Sequence, residues 1–370
     1  MGDLVLPLRG DLAGIEAYGA PVLAVPVVLN VNENPYPPAE DVVADIASAV
    51  AAAARGANRY PDRDFTALRR GLADYLAAES GVDVPPGEIW AGNGSNEVML
   101  HLLQAFGGPG RSVLSFAPTY SMYPEYARDT LTEWVVRPRR QDFGIDLDAA
   151  AVAIREVAPS VVLLASPNNP TGTALTTAEV AALARAGRGA GPGGTDVVVV
   201  VDEAYGEFRR EGVRSALTLR AEHPNLVVTR TMSKAFAMAG LRLGYLAAHR
   251  SVIDAHHVVR LPYHLSAITQ AAALAALGHR GSLMAQVASL RAERDALFAW
   301  LGEHGFAAVP SDANFILFGV FPDRHRVWAQ LLERGVLVRE VGPEGFLRVT
   351  VGTPGETQAF TTALLEVTRG

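Results

Sequence analysis

This chain contains no cysteine, so it has no disulfide framework, no thiolate nucleophile and no cysteine-ligated zinc. It also lacks any apolar run near the ~20 residues that span a bilayer, and no membrane partner is expected. The opening MGDLVLPLRGDLAG carries Asp3 and Asp11 and no long apolar stretch, so it does not read as a secretory signal. Leu6 stands where N-myristoylation after Met1-Gly2 would take Ser or Thr. A net charge of −7 argues against nucleic acid or an anionic membrane as partner. These exclusions leave a soluble cytoplasmic protein as the expectation. The sharpest scarcity is lysine, because Lys234 is the only one among 32 basic positions. Arginine can replace lysine in most roles, but it cannot lose its proton near neutral pH and attack a carbonyl to form a Schiff base. Composition alone leaves a coding accident equally open, so the surroundings of Lys234 must decide.

The chain has ample material for a core: 370 residues, 49% of them apolar. The segmentation predicts an N-terminal arm and substrate loop over 1–40 packing with a small domain, a large domain over 41–255, and a small α+β domain over 256–370. The arm is punctuated by Pro7, Gly10, Gly14, Gly19, Pro21 and Pro26, and the three prolines of 32–38 (NENPYPP) enforce a loop. Helical spacing follows over 41–55 and 65–78. From Glu88 the pattern alternates strand and helix, with strands over 88–91, 112–116, 160–165, 196–201, 225–229 and 241–247. Helices are expected over 98–106 and 177–185, with another opening at 118–120. The run Asp196–Val201 (DVVVVV) reads as a strand buried on both faces, as in a parallel sheet. Beyond residue 255 come helices over 262–277 and 283–304. Shorter strands over 306–309, 314–318, 336–339 and 346–351 follow, around a helix near 326–334. Chemistry-bearing residues gather just after strand ends, where open α/β sheets place their ligands.

An amine that forms an imine needs a carbonyl cofactor, and pyridoxal phosphate is the usual one. Each part of that cofactor makes a separate demand. Its pyridine nitrogen needs a carboxylate, and Asp202 ends a buried strand where a charge is costly unless paired. A helix-capping role for Asp202 competes with this. Its phosphate needs a helix start and a cation. Gly94-Ser95-Asn96 supplies the amides, and Ser233 and Arg242 supply a hydroxyl and a charge. Asn169 and Tyr205 can reach a ring hydroxyl, and Tyr120 can stack on the ring. Singly these read as turn formers and core residues; together they answer every demand.

SPNNPTG (166–172), VDEAY (201–205) and TMSKAFAMAGLRLGY (231–245) resemble the fold-type-I aminotransferases. NENP (32–35), RYPD (59–62), GSNE (94–97), PTYSMY (118–123) and LRVTVGTP (347–354) narrow the resemblance to the histidinol-phosphate aminotransferase family, over nearly the whole chain. Family members often have NPYGP where this chain has Asn34-Pro35-Tyr36-Pro37-Pro38. The resemblance implies a large α/β domain with a mostly parallel seven-stranded sheet, a smaller α+β domain and an arm. It implies that Lys234 holds pyridoxal 5'-phosphate as an internal aldimine, then moves the proton of the reaction. Asp202 would pair with the pyridine nitrogen, Tyr205 and Asn169 would contact the ring oxygen, and Tyr120 would stack. Ser95, Asn96, Thr231, Ser233 and Arg242 would hold the phosphate, joined by Tyr60 from the neighbouring subunit of a homodimer. Tyr18, Asn34, Tyr60, Asn169, Arg339 and Arg348 would face the substrate.

Arg339 and Arg348, nine residues apart on two short strands, can converge on one anion. The competing reading is a surface ion pair with Glu340 or Glu344. The resemblance implies amino transfer between L-histidinol phosphate and 2-oxoglutarate in histidine biosynthesis, with the arginines on the substrate phosphate. An aromatic amino acid aminotransferase would instead place Arg348 on the α-carboxylate and leave Arg339 incidental. An amino-acid-phosphate decarboxylase shares the scaffold. A cofactor-binding regulator would need a DNA-binding extension, and no basic helix-turn-helix stretch precedes the arm.

Overall fold

The computed structural model describes residues 6–19 and 21–369. Met1 to Val5 and Ala20 of the expected arm, and Gly370, lie outside the described residues. The arm contributes β1 (Val27–Val28) and leads into α1 (Glu40–Ala54) and α2 (Thr66–Ser80). Then come β2 (Ile89–Gly92), α3 (Ser95–Phe106), β3 (Ser112–Ala117), α4 (Tyr123–Asp129), β4 (Glu133–Pro138) and α5 (Leu147–Val157). The alternation continues through β5 (Val161–Ala165), α6 (Thr177–Ala186), β6 (Val198–Asp202), β7 (Leu226–Thr231) and β8 (Gly244–Ala247). Three helices follow: α7 (Arg250–Val259), α8 (Ala267–Gly278) and α9 (Arg280–Glu303). The chain closes with β9 (Ala307–Ala308), β10 (Phe315–Gly319), α10 (Arg324–Glu333), β11 (Val336–Leu337), β12 (Phe346–Thr350) and α11 (Pro354–Arg369).

Seven strands form one sheet in the order β2-β8-β7-β6-β5-β3-β4, and only β8 runs antiparallel to its neighbours. This is the expected mostly parallel α/β sheet. Every residue of β5 and β6 is buried, as strands covered by helices on both faces must be. β6 begins at Val198 rather than Asp196 and ends on Asp202, which closes the buried strand as expected. The edge strand β4 and the helix α5 have no counterpart in the sequence reading. β4 is exposed along much of its length and lacks a long apolar run.

Several expected starts move: α8 begins at Ala267 rather than Pro262 and α9 at Arg280 rather than Leu283, and three further shifts bear on the site. α3 begins at Ser95, not Val98, because Glu97 folds back to accept from Asn93 N (2.6 Å) and Asn93 Nδ2 (2.9 Å), closing the turn early. α4 begins at Tyr123, so Tyr120 lies in the loop ahead of it. β8 begins at Gly244, because Arg242 takes a left-handed backbone (φ 59°) that no strand accepts.

The second body holds β12-β10-β9 as a small antiparallel sheet. The arm is tied to it: β1 pairs in parallel with β11, Val27 beside Val336, and Leu29 packs in its apolar cluster. α9 links the two bodies, with Leu283, Val287 and Leu290 in the first cluster and Leu297 and Leu301 in the second.

Behind the sheet edge lies a closed ionic network. Buried Arg230 reaches Glu203 (2.7 Å), Glu207 (3.0 Å) and Glu79 (3.2 Å), while Arg209 reaches Glu79 (2.9 Å) and Glu203 (3.0 Å). Burial opposes the charge on Glu203, but the two arginines outweigh it and hold that carboxyl below its ordinary value. Removing the central cation would leave buried Glu207 without an ion-pair partner among the described residues and leave Glu79 and Glu203 to Arg209 alone. Arg230→Met should therefore destabilise the protein by about 3–5 kcal/mol, read as a lowered Tm; an unchanged Tm would show that Arg230 is not what holds them.

Candidate active site

The parallel strands β3, β5, β6 and β7 deliver their C-terminal ends to one edge of the sheet. The register sets Ala165 beside Asp202 and Asp202 beside Thr229. A cavity of about 150 Å³ opens there. Ser95, Asn96, Tyr120, Asn169, Asp202, Tyr205, Thr231, Ser233, Lys234 and Arg242 all line it. Of the expected cofactor residues, only Tyr60 is elsewhere.

Alternation along the strand ends sorts these side chains. In β7, Thr231 lines the cavity and Thr229, on the same face, holds Asp202, while Arg230 between them faces the ionic network. Asp202 and Glu203 divide in the same way. The Asp202 carboxylate accepts from Tyr123 Oη (3.1 Å), Thr229 Oγ1 (3.1 Å) and Ala204 N (3.2 Å). Among the described residues it has no ion-pair partner, and burial pushes its pKa above the ordinary carboxylate value. A buried carboxylate with no cation beside it suits the protonated nitrogen of a ligand.

Lys234 is half-buried, and its Nζ donates to Val31 O at 2.9 Å. Burial first, then Arg348 and Arg242 against the opposing Glu33, bring its pKa down from 10.5 to about 8. An amine with that pKa is partly unprotonated near neutral pH. Tyr205 Oη accepts from Asn32 Nδ2 (2.9 Å), and burial raises its pKa.

The cavity's other end is built for an anion. It meets the start of α3, whose free amides and dipole are positive. Thr231 Oγ1 donates to Ser233 Oγ (3.0 Å), and Arg242 Nη1 reaches Ser233 Oγ (3.4 Å) and Ala239 O (3.1 Å). Arg242 makes no ion pair among the described residues, so its charge is available. Gly94 has φ +86°, and a Cβ there would stand 2.5 Å from Arg242 Nη2. A Cβ on Gly244 would collide with Ser95 N. The two glycines let the helix start, the arginine and β8 meet. A carboxylate at one end, a helix start beside an arginine without an ion pair at the other, and a desolvated amine between them fit the groups that pyridoxal phosphate presents.

A second cavity of about 220 Å³ adjoins the first and shares Tyr120, Asn169, Tyr205 and Lys234 with it. Arg339 and Arg348 both line it, joined across a two-residue antiparallel bridge (N to O 2.9 Å each way). Arg348 donates to Asn169 Oδ1 (2.6 Å) and Asn30 O (2.7 Å), leaving its buried Nε without an acceptor. Burial first, with Arg339 adding to it, lowers its pKa to about 10. Arg339 Nη1 is likewise buried and without a partner among the described residues. The competing ion pair with Glu340 does not form, since Arg324 (3.3 Å) and His325 (3.0 Å) hold that carboxylate.

Tyr18 lines this cavity, 3.1 Å from Ser121 Oγ. Asn34 lines neither cavity; it accepts from Tyr36 N (3.0 Å) and points its amide at Ala235 O (3.5 Å). Asn30 and Asn32 occupy the wall instead, since the loop turns at Asn32, where φ is 56°. Tyr60 is 78% exposed and stacks on Tyr263 (4.4 Å), outside its own chain's cavity. The sequence reading passed over Asn32, Tyr123 and Thr229. A signal existed for Thr229, two residues before Thr231 on one strand face, but the partners of Asn32 and Tyr123 lie far along the chain.

The family model for class I and II aminotransferases matches residues 25–364. The histidinol-phosphate aminotransferase of Thermobifida fusca is 60% identical, over 98% of this chain and 96% of its own. Histidinol-phosphate aminotransferase 3 of Burkholderia lata is 57% identical, with coverage of 98% and 96%. The crystal structure of the Sinorhizobium meliloti histidinol-phosphate aminotransferase with pyridoxal-5'-phosphate superposes with a TM-score of 0.81 at 25% identity, covering 93% of this chain and 91% of that one. Sheet, lysine and relatives together define a fold-type-I enzyme whose cofactor is pyridoxal 5'-phosphate. More closely, the chain belongs to the histidinol-phosphate aminotransferase family of class I and II aminotransferases.

Because Lys234 carries the only side-chain amine, its titration can be followed without interference from other lysines. In cofactor-free protein, labelling of Lys234 by an amine-specific reagent, read by mass spectrometry, should accelerate with rising pH and level off above about 8. A midpoint near 10.5, the ordinary value, would show that the amine is not desolvated.

Proposed function

We propose that the enzyme transfers the amino group of L-histidinol phosphate to 2-oxoglutarate, giving imidazole-acetol phosphate and L-glutamate in histidine biosynthesis. The observation that carries this reading is the Arg339–Arg348 pair, two guanidinium groups that have no carboxylate partner among the described residues and line the cavity next to Lys234. A phosphate on one substrate and a carboxylate on the other can each take that pair in turn. The names of the relatives point to the same substrate. They do not favour the aromatic amino acid alternative.

Pyridoxal phosphate, when bound, supplies the electron sink that makes a substrate Cα–H acidic. The chain's own residues do the rest. Lys234 Nζ holds the cofactor and, once released, takes the proton from Cα and returns it on the other side of the reaction; an amine pKa of about 8 suits both directions. Asp202 keeps a proton on the pyridine nitrogen. Tyr205 Oη and Asn169 Nδ2 orient the ring oxygen, Asn169 Oδ1 being already occupied by Arg348. Tyr120 covers one ring face and sheds water from it. The α3 amides at Ser95 and Asn96, with Thr231, Ser233 and Arg242, bind the cofactor phosphate. Tyr18, Arg339 and Arg348 bind substrate. In this reading residues 41–255 carry the cofactor, and the small domain over 256–370 and the arm over 1–40 close the substrate side.

The working form in this reading is a cytoplasmic homodimer that shares its sites. None of the described helices is long and apolar enough to cross a membrane. Tyr60 is exposed, and Val258 (84%) and Leu261 (75%) also expose apolar surface. A second copy of the chain would cover such a face and receive Tyr60 at its cofactor phosphate.

Two outcomes test the reading. In a substrate panel, kcat/KM for histidinol phosphate should exceed that for phenylalanine, tyrosine and histidine; the reverse order would overturn the substrate assignment. Lys234→Ala alone should lose at least about 10³-fold in turnover, and Tyr60→Ala should also be impaired. Mixed and reassembled, the two variants should regain activity, because each hybrid dimer holds one site with both native residues. No recovery on mixing would place Tyr60 outside a shared site.

A further inference from the structure

Although the chain is acidic overall, with a net charge of −7, it gathers four arginines around one concavity of about 450 Å³. Arg63, Arg69, Arg250 and Arg260 line it with His257, and Asp64 is the one carboxylate among the lining residues. None of these residues lines either cavity at Lys234. The site is assembled from the start of α2, from α7 and from the residue after α7.

Asp64 does not neutralise this cluster. It is shared between Arg63 (3.2 Å) and Arg260 (2.9 Å), which together hold its carboxyl down at about 2. Arg250 pairs with Asp254 (2.8 Å) on the exposed face of α7. Arg69 is different. It is only 8% exposed and, among the described residues, makes no ion pair. Its hydrogen bond to His257 is a long one, Nη2 to Nε2 at 3.4 Å, and its buried Nε has no acceptor among the described residues. The rings of Phe65 (4.6 Å) and Trp90 (5.9 Å) lie against the guanidinium and offset part of the charge, but they offer its N–H groups no lone pair. Burial first, and then Arg260 and Arg250 against the partial relief from Asp64, lower its pKa to about 10. A buried guanidinium without a counter-charge is costly, and an orphaned buried donor calls for an ion or a water. His257 cannot be that counter-charge, because an imidazole is neutral or positive; burial and the neighbouring arginines lower its pKa.

We propose that this concavity is a second anion site, binding an oxyanion of the phosphate class against Arg69, with Arg63 and Arg250 closing over it from the exposed side. A planar guanidinium presents paired N–H donors at the spacing of phosphate oxygens. The volume exceeds the needs of one orthophosphate, so the anion can be free phosphate or the phosphate end of a larger molecule.

Equilibrium dialysis of the cofactor-loaded enzyme against labelled orthophosphate, and separately against labelled ADP, at constant ionic strength, tests this. Arg250 is exposed, pairs only with Asp254 and lies outside both cavities at Lys234, so Arg250→Ala keeps the fold and the rate of amino transfer. The wild-type enzyme should bind one more anion per chain than this variant does, or bind it about tenfold more tightly. Arg69→Met, which keeps the apolar stem, should lose the site. Preference for ADP would identify an organic phosphate as the occupant, and preference for orthophosphate the free ion. Equal stoichiometry and affinity in wild type and Arg250→Ala, or no binding of either probe, would overturn the proposal, whether or not Arg69→Met folds.

Discussion

One primary amine has to be kept out of water, partly unprotonated, and in reach of two ligands at once. The shift at Lys234 from 10.5 to about 8 corresponds to roughly 3 kcal/mol of disfavoured charge. The rest of the fold must supply that cost. It does so through a sheet whose central strands are buried on both faces, which can carry a desolvated cluster at its edge without loosening. The arm completes the arrangement by placing Val31 O against the amine and Asn32 against Tyr205.

Charge is distributed very unevenly across that sheet edge. On one side Arg230, Arg209 and three glutamates satisfy one another. On the other, Asp202, Arg242, Arg339 and Arg348 are left without ionic partners among the described residues. Adjacent residues, Asp202 and Glu203, fall into opposite regimes because successive side chains leave a strand in opposite directions. A protein of marginal stability leaves buried charges uncompensated where a ligand completes them. By that criterion the cavity at Lys234 is a ligand site, and Arg69 satisfies the same criterion on a different face.

Much of this was readable from residue order. A period-free β-branched run such as DVVVVV has one stable environment, the middle of a parallel sheet. The glycines and prolines at 92–94 and 166–172 marked the strand ends where ligands bind. A single lysine among arginines pointed at imine chemistry, and its motifs carried the family resemblance. The reading was weaker where signals are diffuse. The edge strand β4 has no continuous apolar run, and the α3 start was displaced because Glu97 caps its own turn.

Local sequence could therefore identify which side chains carry the chemistry, since their types and their positions after strands are local properties. It could not decide which asparagine of the loop faces the cavity. Asn34 was expected there, and Asn30 and Asn32 are found, because that choice rests on Arg348 and Thr350, more than 300 residues away along the chain. Nor could it show that Arg339 and Arg348 share a backbone bridge, or that Arg69 meets three other arginines. Contacts between distant segments depend on how two bodies and a returning arm pack, and no window of sequence contains them.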